Sequence, residues 1–330
     1  MSDRPVSPVH PVSPDRPASP DRPVSPALLE AAARVHVSPD RSRATVGEQT
    51  VEAETPRELR RLLSDALYHE LHAGLSMEGR SLPFRLRDAD FEAELAEGVP
   101  HRETTLRGLV LEAGGDTHVV ELGGLRVRVL AERVRADGTV TPGTVVDVVN
   151  SSLRPGLSPG FFLVDGTRPY RSRDLLRVYV HIRDWTAARG VWQTALEHLE
   201  EHGAAYRAKV ISSKLLYARR DALVVYLDRS GRHLVEGLAE AVGVLPGIGA
   251  DTSAFTRRIR PGVATAWEPR DPSPGMDSLS FGQHRASVLA RALVETADAP
   301  EAFPRVLHDR LTEANVDPAD PSRNLDSPES

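Results

Sequence analysis

RVYVHIRDWTAARGVWQTALEHLEEHGAAYRAKVISSKLLYARRDALVVYLD, residues Arg177 to Asp228, reads as strand, helix, strand, loop and strand, and the rest of the chain is arranged around it. In RVYVHIR, Val178, Val180 and Ile182 alternate with Arg177, Tyr179, His181 and Arg183. That period of two sends one set into a core and the other onto the opposite face. A helix then runs to about Gly203, and AAYRAKVI repeats the alternation, with Arg207 and Lys209 on one side and Tyr206, Ala208 and Val210 on the other. The third strand, ALVVYL, is nearly continuous in apolar residues, as a central strand is, and it is entered through Tyr217, Arg219 and Arg220.

Charge concentrates here. Arg171 to Arg220 holds ten Lys or Arg against five Asp or Glu, inside a chain whose net charge is −6. A cationic sheet face with forked guanidiniums suits a compact dianion such as a phosphate monoester. Arginine alone makes a binding site, because its pKa is too high for ready loss of a proton. Of the 41 basic residues only Lys209 and Lys214 are lysine. Chemistry that needs a deprotonatable amine beside other cations would account for a lysine on this strand face. The plainer alternative is that two lysines are a chance of composition.

Composition bounds the rest. A chain of 330 residues, 40% hydrophobic, can bury a substantial core. With no cysteine there are no disulfides, thiolate nucleophiles or cysteine metal sites, and nothing signals an oxidising compartment. No apolar run is long enough for a membrane span and no hydrophobic signal core opens the chain, so a cytoplasmic location is expected. The acidic total argues against a general nucleic-acid partner.

Taken in order, Pro5, Pro8, Pro11, Pro14, Pro17, Pro20, Pro23 and Pro26 recur at every third residue, the period of polyproline II, in an arm expected to be a disordered spacer or a ligand for a proline-binding partner. Thr55-Pro56-Arg57-Glu58 starts a helix with an amphipathic Leu/Ala face. The histidines of the following Tyr68-His69-Glu70-Leu71-His72 read as surface residues rather than metal ligands. From His101 to Asp165, short β-rich runs broken by GGD, GG, ADG and PG turns predict a small barrel or meander closed by LSPGFFLVDG. His198 and His202 have a zinc-peptidase spacing, yet they sit at the last helical turn before Gly203, where they favour the helix C-terminus. PGIGAD lacks the lysine and hydroxyl of a phosphate loop and no dinucleotide fingerprint exists, so no nucleotide cofactor is indicated. Ser280-Phe281-Gly282-Gln283 opens a helix with a capping box and puts His284 in its first turns. The reading is an α+β chain: disordered arm 1–50, helical segment 51–100, small β-rich domain 101–170, a 171–315 domain with a mixed sheet and flanking helices, and disordered tail 316–330.

LSPGFF, VYVHI, YRAKV, YARRDALVVYL, AFTRRIRPGV and SFGQHR, in this order over roughly Arg102 to Ala297, resemble the Hop effector-like proteins of actinobacterial class V lanthipeptide clusters, the Y component. That family looks distantly similar to the phosphothreonine lyases of type III secretion. The resemblance implies a phosphothreonine-lyase-like fold and β-elimination of phosphate from phosphoserine or phosphothreonine, giving dehydroalanine or dehydrobutyrine. It implies Lys209 as the base that removes the α-proton and His181 as the acid that protonates the departing phosphate. Phosphate binding falls to Arg219 and Arg257, with Arg207, Arg220, Tyr217, Tyr179 and His284 as further members. Tyr179 stands where the secreted lyases have a lysine, so the phosphate grip passes to arginines.

Such an elimination needs a positioned base and cations to stabilise developing charge, and neither metal nor cofactor. A separate kinase would have to phosphorylate the precursor peptide, and a cyclase would use the dehydroamino acid. A non-catalytic phosphopeptide-binding module is the alternative; it would use the same arginines without Lys209 or His181. A phosphatase would need a nucleophile or metal that the sequence does not offer.

Overall fold

The computed structural model describes residues 22–75, 87–170, 174–276 and 278–328; the proline repeat before Arg22 lies outside them. Helix α1 (Pro26–Ala32) is followed by an antiparallel sheet of β1 (Val35–Val37), β2 (Arg43–Val46) and β3 (Gln49–Glu52). Leu28, Ala32, Val37, Ala44 and Val46 are buried in a core shared with three later helices. Residues 22–50 are therefore folded, not part of a disordered arm. The apolar residues that hold them are few and widely spaced, which gave the sequence no periodic signal.

Thr55 accepts a hydrogen bond from the Glu58 N–H (3.2 Å) and starts α2 (Pro56–Leu67), whose Leu59, Leu63, Ala66 and Leu67 face inward. The helix widens into a π-helical turn at Tyr68–Ala73 that stops at Gly74, a residue with φ +68°. Asp88 caps α3 (Ala89–Glu97). A five-stranded sheet follows, in the order β6-β5-β4-β8-β7: β4 (Glu103–Ala113), β5 (Thr117–Leu122), β6 (Leu125–Leu130), β7 (Val134–Arg135) and β8 (Val145–Ser151). Its own small core is made of Val110, Val120, Val129, Val146 and Val148.

The β-rich unit ends there, earlier than its expected boundary at 170. β9 (Leu153–Ser158) and β10 (Phe161–Asp165) leave it for the main sheet, where β10 pairs with β12 (Tyr206–Ile211) from Phe161↔Ile211 to Asp165↔Arg207. The other strands are β11 (Leu176–Ile182), β13 (Arg219–Leu227), β14 (Arg257–Arg260) and β15 (Val263–Trp267). The seven run β14-β15-β11-β13-β12-β10-β9 with every neighbour antiparallel, and ALVVYL is the central strand that its apolar run implied.

One face of this sheet, with Val178, Val180, Ile182, Ala208, Val210 and Val225, packs on α4 (Trp185–Glu201) and α5 (Val235–Gly243) through Trp192, Leu196, Leu199 and Leu238. The other face, through Tyr179 and Val224, meets α2, α6 (Phe281–Glu295) and α7 (Phe303–Glu313). α6 begins with the capping box read from the sequence. α4 ends as its histidines suggested, with His202 Nδ1 donating to the His198 carbonyl (2.8 Å).

The tail was expected to be disordered, yet as far as Pro328 it is packed. Val316 is buried, Trp267 N–H donates to the Ser322 carbonyl (2.8 Å), and the buried Arg285 donates Nε to the Pro321 carbonyl (2.7 Å). Hydrogen bonds to a buried guanidinium fix it, so its polarity misled.

Candidate active site

Register fixes which side chains share the exposed part of the sheet. Tyr179, Val224, Lys209 and Leu163 stand in one row across β11, β13, β12 and β10; Arg177, Tyr226, Arg207 and Asp165 form the next. Directly opposed residues point to the same face. Lys209 thus lies on the face away from α4 and α5. Its ammonium sits 4.2 Å from the centre of the Phe161 ring and 5.9 Å from that of Tyr226, and it has no ion pair or hydrogen bond among the described residues.

The arginines around it are each tied to a carboxylate. Arg177 is clamped by Glu268, and Asp165 is shared by Arg154 (2.9 Å) and Arg207 (2.6 Å). Arg219 grips Asp221 with two bonds of 2.7 and 2.8 Å, and its guanidinium carbon is 5.9 Å from the Phe161 ring centre. Five cations therefore face three carboxylates, and the ammonium of Lys209 is the one without an anion. Arg154 and Arg207 are held through Nε alone and keep their Nη donors for an incoming anion, and Arg219, held through Nε and Nη2, keeps Nη1.

The bond between Arg219 and Asp221 exists because β13 bulges. Two steps along β11, Val180 to Ile182, match four along β13, Leu223 to Arg219. The bulge swings both side chains toward the π-helical turn. Tyr68 there accepts from Arg219 Nη2 (2.7 Å) and reaches Asp221 at 3.4 Å. Burial pushes the Asp221 carboxyl up, but Arg219, its hydrogen bonds, His72 and Lys209 outweigh this and hold it below the ordinary carboxylate range. His72 is fully buried rather than on the surface, and burial lowers it to about 4. His72 Nδ1 shares a hydrogen bond with the Ser253 hydroxyl (2.9 Å), which also accepts from the Phe255 N–H, and Nε2 faces Asp221, 3.7 Å away. A Cβ on Gly282 would lie 2.2 Å from the His72 ring, so only glycine lets α6 approach this turn. His69 is half-buried and is pushed down by burial and by Arg219.

His181 lies on the same face one pleat beyond Tyr179. Its Nδ1 donates to the Asp251 carbonyl (3.2 Å), leaving Nε2 for a substrate. Burial, with Arg220 and Arg183, lowers its pKa below the ordinary histidine value, against Asp251. A Cβ on Gly249 would fall 2.1 Å from its ring. No contact joins His181 to Lys209; two strand spacings and one pleat separate their Cα atoms by roughly 12 Å.

The remaining residues singled out in the sequence divide. Arg219 and Arg207 face Lys209's side, and Arg220, on the bulge, donates to the Glu70 carbonyl (2.8 Å) close to His181. Tyr179 is buried, with its hydroxyl 3.5 Å from Arg177 Nη1. Arg257 pairs with Thr265, in the row of Val178, Val225 and Ala208, and so belongs to the opposite face; its neighbour Arg258 shares the row of Ala264, Tyr179, Val224 and Lys209. Tyr217 is buried beside Phe91, donating to the Ile211 carbonyl (2.9 Å). His284 is sealed between Asp271 (2.9 Å) and Arg285 (2.7 Å). Neither Tyr217 nor His284 joins the amine. Lys214 is held by Glu94 (3.6 Å) and lies 4.3 Å over Trp185, among the helices of the other face. Sequence reading passed over Asp221, Asp165, Glu268, Phe161 and Tyr68, and placed His72 on the surface. The signals for some of them were a carboxylate two residues after Arg219, the aromatic pair of PGFFLVD, and a Tyr-His-x-x-His run beside a glycine.

Residues 152–323 match the HopA1 effector protein family. The chain belongs to that family. The matched span opens at β9 and carries the whole seven-stranded sheet with Lys209, His181 and Arg219, whereas the π-helical turn beside Asp221 lies outside it. Two solved structures are similar. The effector protein from Pseudomonas syringae pv. tomato strain DC3000 is 19% identical at a TM-score of 0.40, and that from Pseudomonas syringae pv. syringae strain 61 is 19% identical at 0.39. Each match covers 50% of this chain and 62% of the effector, so this chain spans less than two thirds of their length. No curated protein matches. Among the described residues no cluster of three or more His, Cys, Asp or Glu could hold a metal, and no helix is long and apolar enough to cross a membrane.

Proposed function

We propose that the chain is a phosphoserine/phosphothreonine lyase that eliminates phosphate from a kinase-phosphorylated precursor peptide in lanthipeptide-type maturation. The observation that carries this reading is Lys209: an ammonium on an aromatic floor, without a carboxylate, beside arginines already fixed by theirs. A phosphate dianion would match the surplus of two positive charges while Lys209 is protonated; once the amine is free, protonated His181 carries the second positive charge. Lys209, as the free amine, would take the α-proton; that C–H electron pair becomes the Cα=Cβ bond, the Cβ–O bond breaks, and phosphate departs. Protonated His181 would donate to the leaving oxygen. In the free protein its imidazole is pushed toward the neutral form, and a bound dianion opposes that push, so the acid forms as substrate binds. A separate kinase supplies the phosphoresidue, and a cyclase consumes the dehydroamino acid. The test is to incubate the chain with a phosphopeptide and follow its mass. Elimination removes the elements of phosphoric acid. Recovery of the free alcohol would mean hydrolysis, and an unchanged but bound phosphopeptide would mean a binding module; either sinks the proposal.

A further inference from the structure

β14 stands at the edge of the main sheet. β15 pairs with it on one side, and among the described residues no backbone group bonds to it on the other. Its sequence is Arg257-Arg258-Ile259-Arg260, and Arg257 and Arg258 are exposed. None of the three arginines has an ion pair or a hydrogen-bond acceptor among the described residues, and Arg260 Nη1 is buried without a partner. This separates them from the arginines of the site, which are held by carboxylates. Arg258 also lines a cleft of about 400 Å³ with Arg220 and Asp251, and the Asp251 carbonyl is the one that holds His181. That cleft is balanced by Glu30, Glu70 and Asp251 against Arg34, Arg220 and Arg258, so the positive charge left unmatched on β14 is that of Arg257 and Arg260.

An open edge offers a ladder of backbone donors and acceptors to any extended chain. Basic residues on such an edge discourage pairing with neutral strands and with copies of themselves. They do the opposite for an acidic strand, whose side chains would alternate onto the faces bearing Arg258 on one side and Arg257 and Arg260 on the other. We propose that the open edge of β14 receives an extended acidic stretch of the peptide substrate as an eighth strand, leading the peptide toward His181. The proposal rests on the lyase reading for calling that peptide a substrate; the edge itself is tested without phosphate.

The probe is a short fluorescent peptide of alternating Glu and Val, lacking Ser and Thr, added to the full chain at low salt and followed by anisotropy. It should bind, and a Gln/Val version should not. Methylation of alternate backbone nitrogens on the Glu/Val peptide should abolish binding, because it removes ladder hydrogen bonds and keeps charge. Arg257→Glu with Arg258→Glu should weaken it by about tenfold or more, and raised salt should do the same in part. Equal binding of the methylated peptide, an unaffected charge-reversed chain, or no binding of the parent peptide would each overturn the proposal. The methylation arm uses the unaltered chain and so stands even if the variant misfolds. A chain that binds this probe but eliminates no phosphate sinks the lyase reading alone. One that eliminates phosphate but ignores the probe sinks the edge reading alone.

Discussion

Replacing Asp221 by Asn should cost far more than its one lost charge suggests. Arg219 and Asp221 side chains are 7% and 6% exposed, and the two bonds between them, with Tyr68 as the other partner, satisfy the guanidinium edge that faces the π-helical turn. Asn keeps the volume but provides one acceptor oxygen and no charge, so Arg219 is left buried and uncompensated. Breaking a buried pair from one side costs about 3–5 kcal/mol. The assay is urea unfolding at neutral pH, read as a lower midpoint at unchanged slope. Removing both partners, Arg219→Met with Asp221→Leu, should recover most of the loss, since the pair's worth lies in mutual compensation. The sign with pH follows. The folded carboxyl is held below its ordinary value, so its contribution is present above that value and disappears as pH falls through the folded one. A loss for Asp221→Asn below about 1 kcal/mol would refute the claim that this pair is a buried, mutually dependent unit.

Deleting Met1 to Asp21 should leave the melting temperature and turnover of a short phosphopeptide intact. Deleting through Ser42 removes Leu28, Ala32 and Val37 from the core and should destabilise by several kcal/mol, on the order of 2–3 per large side chain, measured by thermal melting. Burial lowers His72 and His284 to about 4, from an ordinary 6.5. Above pH 6.5 neither contributes. Between 6.5 and 4 the unfolded chain takes up protons that the folded one refuses, so stability should fall by about 3 kcal/mol for each histidine. Urea midpoints that stay level from pH 7 to 5 would contradict this, and His72→Gln should remove about half of the slope.

The legible parts of the fold were those with one apolar face. RVYVHIR and AAYRAKVI showed which residues turn inward because α4 and α5 bury the apolar set of these strands, and this placed Lys209 on the other face. Arg219 with Asp221 was not legible in the same way: the bulge in β13 breaks the period of two where the pair sits. Arg257 illustrates the related failure. In RRIR every candidate position is arginine, so nothing in the residue types reveals a register that assigns Arg258 to the face of Lys209 and Arg257 to the other. His72 was misread because a π-helical turn moves side chains off the helical period that would have shown it buried. The tail and residues 22–50 are held by scattered contacts and hydrogen bonds to distant carbonyls, which leave no local pattern.

The most direct test of the central claim compares two charge-conserving substitutions. Lys209→Arg keeps a cation over Phe161 but supplies no usable base, so phosphopeptide binding should persist while elimination, followed by mass, falls by about 100-fold or more. Lys214→Arg, against Glu94 and Trp185 on the other face, should eliminate at close to the parent rate. Near-parental elimination by Lys209→Arg, whether or not Lys214→Arg retains it, would contradict the assignment of Lys209 as the base.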